Sequence, residues 1–260
     1  MKLGGFGKTE DFDRIREAGF DYAELDMPEI EAMDETAFER FASHVQETGF
    51  PISTGARLLP FTEPMFFLPG YDSRQLESYI RSSCKRNAQV GVRTILFGNG
   101  KARWLIDESS LSRENQFFDF IRMLCGIAGE NEQRVLIEPL GPKYSNYLNT
   151  VPAVLEAVER INMPNLSVMA DIRHFIWAGE PFEDIARFHE RIGHYHIDFP
   201  LSWPERRWPN ADDGYNYGAF LSQLKAIDDG ELTLTVEADI PRDWQKAGRE
   251  IKEVLAKYWN

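Results

Sequence analysis

One pattern constrains this chain more than any other: a helical stretch ends in glycine, and a short β-branched or aromatic run follows. Asp11 to Ala18 leads through Gly19 into FDYAEL. Asp34 to Thr48 leads through Gly49 into FPIST, and Ser73 to Val90 leads through Gly91 into VRTILF. Glycine suits the position just past a helix because it accepts a left-handed backbone without a Cβ clash. In the second stretch Phe38, Phe41, Ala42 and Val45 recur at spacings of three and four, which makes one apolar helix face. The runs after each glycine are short and largely apolar, as parallel strands covered on both faces should be.

Eight such runs are expected to be strands: Lys2–Phe6, Tyr22–Leu25, Pro51–Thr54, Arg93–Phe97, Arg134–Glu138, Leu166–Ala170, His194–Ile197 and Leu232–Glu237. Helical segments separate them and follow the last; two of these, Pro181–His189 and Tyr217–Ile227, are short. Strict alternation of this kind implies a parallel sheet with crossover helices. Eight repeats in 260 residues fit an α/β fold of the (β/α)8 TIM barrel type, as one domain over residues 1–260. A doubly wound open sheet is the alternative. It would place a glycine-rich phosphate loop after the first strand, and the GGFG at Gly4–Gly7 lacks the full G-x-G-x-x-G spacing. No linker or low-complexity tract divides the chain. The longest irregular stretch, Asp198–Asn216, follows strand seven, on the face where barrel active sites are built.

Four ionisable residues sit at the C-terminal ends of strands five to eight. Glu138 ends VLIEP, Asp171 follows SVMA, His196 stands near the end of HYHID, and Glu237 ends LTVEA. A charged residue at one strand end is ordinarily a turn residue or a helix cap. Four at consecutive strand ends converge on the barrel mouth instead. Three carboxylates and an imidazole gathered there repel one another unless a cation joins them. The oxygen-rich set suits Mn2+, Mg2+ or Co2+ better than a structural zinc site would.

At these residues the chain resembles the xylose-isomerase-like barrels, in particular their sugar isomerase/epimerase branch with the ketose 3-epimerases. The resemblance runs from the G-F-D-Y-A-E-L element around Glu24 to the last strand. Its sharpest pieces are Ile137-Glu138-Pro139-Leu140, like the family's E-P-L strand end, and Asp171-Ile172-Arg173-His174, like D-x-x-H. His194-Tyr195-His196 resembles H-x-H, Arg206-Arg207-Trp208-Pro209 the R-R-x-P loop, and Val236-Glu237 the final metal-binding Glu. The resemblance implies that Glu138, Asp171, His196 and Glu237 hold one divalent metal ion, Mn2+ first, with Co2+, Mg2+ or Zn2+ as alternatives. It implies that Glu138 and Glu237 double as the catalytic acid/base pair. A divalent ion that polarises a carbonyl acidifies the adjacent C–H and stabilises an enediolate. One carboxylate then removes the proton and the other returns one. Return to the same carbon inverts it; return to the neighbouring carbon interconverts aldose and ketose. His174 and Arg206 would steady the developing negative charge.

The chain departs from the family in two places. The ketose 3-epimerases carry a second Glu six residues after the E-P-L element, where it contacts the sugar's terminal hydroxyl; here that position is Tyr144. The R-R-x-P loop is four residues longer, and Asn210 replaces the usual Gly. Substrate contacts are therefore expected from His174, Arg206, Tyr144 and Trp104, with the substrate pocket itself altered.

Other residues read more plainly. His194 is expected to be a hydrogen-bonded core histidine, and His44 and His189 surface residues. Glu24 ends strand two within reach of the site, where supporting a ligand or the core is as good a reading as touching the ion. Arg57, Asn99 and Arg103 are expected to be solvated loop residues. Phe61, Phe66, Phe67, Trp104, Trp177, Trp203 and Trp208 are expected in loops on the active face, where they could stack on a sugar, pack the loops or form a dimer contact.

The formal charge of −13 speaks against phosphate backbones and anionic membranes as partners. Cys84 and Cys125 form no disulfide framework or ligand spacing and read as buried thiols. The opening MKLGGFGKTEDF lacks a signal peptide's apolar core, and no run is long enough to span a bilayer. The expectation is a cytoplasmic enzyme acting on a small sugar, with no nucleic acid or membrane partner and homo-oligomerisation left open. Lyase, dehydratase or C-glycoside-cleaving chemistry on the same metal site is the main alternative. A nuclease resembling endonuclease IV fits worse, because no histidine precedes His44. A non-catalytic interaction protein would have little use for the metal set.

Overall fold

Asp34 opens the helix Glu35–Thr48 by accepting the Ala37 N–H at 2.8 Å, and Gly49 closes it at φ 63° with its N–H on the Val45 carbonyl. Gly19 and Gly91 also take positive φ, so each of the three glycine boundaries turns the chain from helix to strand. The computed structural model describes residues 1–259. The strands are β1 (Lys2–Gly7), β2 (Tyr22–Asp26), β3 (Ile52–Ala56), β4 (Thr94–Phe97), β5 (Arg134–Ile137), β6 (Leu166–Asp171), β7 (Ile192–Ile197) and β8 (Thr233–Val236). They run parallel in sequence order and close into a barrel, β8 pairing with β1. That closure excludes the doubly wound sheet.

The helices are α1 (Phe12–Glu17), α2 (Met27–Glu31), α3 (Glu35–Thr48), α4 (Glu77–Gln89), α5 (Glu114–Glu130), α6 (Val151–Ile161), α7 (Ile172–Ala178), α8 (Glu183–Arg187), α9 (Gly218–Ile227) and α10 (Trp244–Tyr258). None is long and apolar enough to cross a membrane among the described residues. The stretch expected as one helix over Ser73–Val90 opens with a tighter 3-10 turn, Ser73–Leu76, where Asp72 caps the Arg74 N–H. The Pro181–His189 stretch contracts to α8 and a following 3-10 turn.

Alternate strand residues face opposite sides of the barrel wall. Ala23, Leu25, Ile95, Phe97, Val135, Ile137, Val168 and Ala170 belong to the main core, shared with the helices. Leu96, Leu136 and Met169 form a separate cluster inside the barrel. The rest of the interior is polar: Tyr22, Glu24, Thr54, His194, His196 and Thr235 are all buried. Glycine makes room there, since a Cβ on Gly4 would sit 2.3 Å from the Tyr22 ring. The GGFG segment is thus strand β1, with its first glycine giving space to Tyr22, and not a phosphate loop.

Several loop aromatics differ from expectation. Phe66 and Phe67 are fully buried under α5, with Phe66 4.6 Å from Phe120 and Phe67 6.1 Å from Phe117 between ring centres. They pack the core, because the loop carrying them folds back over α5 and Gln116 holds its Phe66 and Leu68 carbonyls. Trp208 packs edge-on to Phe20 and Trp244. Phe61 packs against the core half-buried, Trp177 lies in α7, and Trp203 is exposed. Cys84 and Cys125 are buried free thiols, as expected.

Candidate metal centre

The inward-facing series of four strands each ends in one ionisable residue. Leu136 is followed at the next inward position by Glu138, Met169 by Asp171, His194 by His196, and Thr235 by Glu237. Ladder pairing sets these ends at one level: Asp171 lies opposite His196, the Glu138 N–H bonds the Phe97 carbonyl, and the Glu237 N–H bonds the Ile197 carbonyl. One side-chain atom from each of Glu138, Asp171, His196 and Glu237 lies within 4.8 Å of the others. His196 Nδ1 is 3.1 Å from Glu237 Oε2, 3.8 Å from Asp171 Oδ2 and 3.9 Å from Glu138 Oε1. Gly98 leaves room for the set, since a Cβ there would stand 2.4 Å from Glu138 Oε2.

The carboxylates of the cluster stand in different electrostatic surroundings. Burial, reinforced by the Glu237 charge, pushes the Glu138 carboxyl up to about 8. Burial also acts on Glu237, but Arg206 and His196 outweigh it and hold that carboxyl at about 2. Glu138 Oε1 is buried with no hydrogen-bond partner among the described residues. An orphaned carboxylate oxygen among three acids and an imidazole nitrogen is the donor set of an oxygen-preferring divalent cation. The residues present therefore fit such an ion.

Arg206 spans the open side. Its Nη1 donates to Glu237 Oε2 at 2.5 Å, its Nη2 to Asp171 Oδ2 at 2.8 Å and its Nε to Asp198 Oδ2 at 2.9 Å. The loop carrying it is tied down by Arg173, which is fully buried and donates to Asp198 Oδ2 at 2.6 Å, the Ser202 carbonyl at 2.5 Å and the Phe199 carbonyl at 2.9 Å. His174 is also buried. Its Nδ1 accepts the Gly141 N–H at 3.1 Å, and its Nε2 faces Glu138 Oε1 at 3.5 Å. Burial lowers its pKa to about 4, so it is a neutral imidazole whose proton sits on Nε2.

Tyr144 is not bonded to the acids. Its ring stacks on Trp177 at 5.5 Å and meets His174 at 5.0 Å and Trp203 at 5.3 Å, making an aromatic wall from His174 outward. Trp104 is half-buried on the loop after β4, and no hydrogen bond or ring contact joins it to the cluster among the described residues.

Two loop residues correct the solvated reading. Arg103 is fully buried and donates to the Glu138 carbonyl, with Nε and Nη1 unpartnered among the described residues. Asn99 clamps Leu59 through both its amide N–H and carbonyl. Arg57 is exposed, as expected, and pairs with Asp26. Among the histidines, His189 is exposed and His44 half-exposed, bonded to Asp13 at 2.8 Å. His194 is a buried, hydrogen-bonded core residue as expected. Sequence reasoning missed Arg173 and Asp198 as a buried ion pair. It left Glu24 open, although its equal parity with Tyr22 in β2 places it inside the barrel, as His194 shares parity with His196 in β7.

The sequence profile described as xylose isomerase-like TIM barrel matches residues 12–258. The chain belongs to that family. Among solved structures, the xylose isomerase-like chain superposes on the apo form of 3-keto-D-glucoside 4-epimerase, YcjR, from E. coli with a TM-score of 0.77 at 18% identity, covering 98% of this chain and 99% of that one. It superposes on the IOLI protein with a binding zinc atom at TM-score 0.77 and 20% identity, covering 99% of each. The probable 3-DHS dehydratase AsbF from Bacillus anthracis gives TM-score 0.76 at 16% identity, covering 100% of both chains. At these identities the likeness is one of fold. No curated protein matches the sequence at a significant level.

Proposed function

We propose that this protein is a divalent-metal-dependent sugar epimerase or isomerase that moves a proton on a carbon beside a carbonyl. The observation that carries the reading is the convergence of Glu138, Asp171, His196 and Glu237 on one point of the barrel mouth. These four residues would hold the ion, Mn2+ by preference. When bound, such an ion supplies Lewis-acid polarisation of a substrate oxygen. The chain's own residues do the proton work. Glu237, kept ionised beside Arg206, removes the proton α to the carbonyl. Glu138, whose carboxylate converges on the same point, returns one. The neutral His174 offers its Nε2–H next to Glu138, and Arg206 offers guanidinium N–H groups, to the oxygen on which enediolate charge gathers. Tyr144 and the Trp177–Trp203 wall flank the substrate farther out.

The epimerase among the structural relatives supports this reading. A second reading, dehydration or other β-elimination begun by the same proton abstraction, is favoured by the replacement of an acidic sugar contact with Tyr144 and by the dehydratase that superposes over its full length. Incubation of the Mn2+-loaded protein with ketoses, aldoses and keto-glycosides in deuterium oxide separates the two. Deuterium at one stereocentre with an epimeric or isomeric product supports the first, and loss of water or an aglycone supports the second. No exchange on any sugar overturns both.

A further inference from the structure

Beneath His196, polar side chains form a connected array inside the barrel. The Tyr22 hydroxyl and Thr235 Oγ1 lie 2.8 Å apart, and Thr235 Oγ1 lies 3.2 Å from His194 Nε2. His194 Nδ1 meets Thr233 Oγ1 at 2.8 Å, and its Nε2 meets Glu24 Oε2 at 3.0 Å. Thr54 donates its hydroxyl to the same Glu24 oxygen at 2.9 Å. His196 Nε2 faces both oxygens of Glu24, 3.0 Å from Oε1 and 3.2 Å from Oε2, with the hydrogen-bond geometry on Oε2. Glu24 and His194 are 0% exposed and His196 1%.

His196 thus presents its two nitrogens to different surroundings. Nδ1 faces Glu237, Asp171 and Glu138, while Nε2 faces Glu24 alone among the carboxylates. A neutral imidazole carries one N–H, and an ionised carboxylate only accepts. A buried carboxylate at Nε2 therefore calls the proton to Nε2 and leaves the lone pair on Nδ1. We infer that Glu24 is the positioning residue of His196. It fixes the Nε2–H tautomer and the ring orientation so that Nδ1 aims its lone pair at the point where the three carboxylates converge.

The assignment rests on the metal-centre reading above. The rest of the array supports it by fixing Glu24 in turn. Thr54 and His194 hold its Oε2 from two further strands, and Thr233 and Thr235 hold His194. Glu24 and the two histidines also have converging ligand atoms. The hydroxyls of Thr54 and Thr235 reach into that same space; Glu24 Oε2 takes the hydrogen bonds, while its Oε1, 3.0 Å from His196 Nε2, accepts none among the described residues.

The test has two parts. Nitrogen-15 histidine NMR on the wild-type protein loaded with Zn2+, a diamagnetic probe, reads the tautomer without any variant. The expected result is a proton on His196 Nε2 and none on Nδ1; a proton on Nδ1 overturns the assignment. Calorimetric titration with Mn2+ then compares wild type, E24Q and E24A. Loss of a ligand's supporting partner typically weakens metal binding about 10–100-fold. E24A should lose about that much, and E24Q less, because its amide keeps an acceptor oxygen for Nε2. Equal affinity in wild type and folded E24A overturns the role of Glu24 while leaving the metal centre standing. Wild type that binds no ion overturns the metal reading and this assignment with it. Two ions per wild-type chain, one lost in E24A, would make Glu24 a ligand of a second site instead.

Discussion

The backbone N–H of Gly141 donates to His174 Nδ1 across 3.1 Å, and this contact decides which histidine nitrogen carries the proton. It also makes Gly141 a residue with little tolerance. A Cβ there would stand 2.8 Å from Trp177 Cβ and 3.5 Å from His174 Nδ1. Gly141→Ala should push the loop off α7 and swing His174 away from Glu138. Overpacking of this kind costs about 1–3 kcal/mol, and misplacing a charge-stabilising group by about 1 Å costs on the order of 100-fold in rate. Thermal unfolding and steady-state rates measure the two separately. Wild-type kcat in a destabilised Gly141→Ala protein would show that the His174 position does not matter.

Removing either acid should stop turnover while the barrel stays folded. On the proposed roles, Glu237→Gln keeps the volume and one acceptor oxygen but loses the base, and Glu138→Gln loses the acid. General acid or base catalysis contributes about 100- to 10,000-fold, so kcat should fall by at least that factor in each. Circular dichroism and solvent-exchange rates on the substrate check this. Unchanged activity in Glu237→Gln would remove it from the proton-transfer step.

Chelation should abolish activity, and Mn2+ should restore it, with about one ion per chain by elemental analysis. An ion held by the folded state alone should raise the protein's melting temperature as free Mn2+ rises; at 100 times the dissociation constant the gain is about 2.7 kcal/mol. Full activity after exhaustive chelation would sink the metal requirement.

The parts of the site legible in the sequence share one physical property: they depend on the strand alone. Parallel strands in register bring their C-terminal ends to one level, so Glu138, Asp171, His196 and Glu237 could be placed together from strand count and parity. Arg103 could not. It follows β4 in a polar loop and reads as solvated, yet the loop turns it under the Glu138 carbonyl. Phe66 and Phe67 likewise sit in a proline-bearing loop whose fold over α5 no local pattern encodes. In the sequence Arg173 is only a spacer position within D-x-x-H. That its guanidinium meets Asp198 depends on the path of the Asp198–Asn216 loop, which is a tertiary matter.

Glu180 gives the fold a pH dependence apart from the site. The residue is half-buried and accepts the Val151 N–H at the start of α6 through both oxygens, at 2.9 and 3.1 Å. Burial outweighs that hydrogen bond and pushes its pKa from 4.5 up to about 7. Between those values the native state holds a proton that the unfolded chain has released. Stability from this group is therefore greatest below pH 4.5 and falls as pH rises to about 7. Glu180→Gln keeps an acceptor for Val151 and removes the titration. Urea unfolding should show it more stable than wild type at pH 8, on the order of 1–2 kcal/mol after allowance for solvent screening, with the difference shrinking at pH 5. A constant difference across that range would mean that Glu180 does not titrate there.

Arg173 and Asp198 form the buried pair on which the Arg206 loop hangs. Both side chains are 0% exposed, and Arg173 spends its remaining donors on Ser202 and Phe199. Asp198 also accepts from Arg206, so one carboxylate oxygen joins the loop's anchor to the guanidinium that reaches Asp171 and Glu237. Arg173→Met leaves Asp198 with a single charged partner and strips the loop carbonyls of theirs. Breaking one side of a buried ion pair costs about 3–5 kcal/mol, and this loss should appear in denaturant unfolding. Activity should fall as well, since the loop then holds Arg206 only through its backbone pairing with Asp239 and its own contacts with the acids. Asp198→Asn alone should cost stability by the same logic. The double variant should be much less destabilised than the sum of the two, because the second substitution removes the charge the first one stranded. Strictly additive losses would mean that the two residues act independently and that Arg206 is held in place by something else.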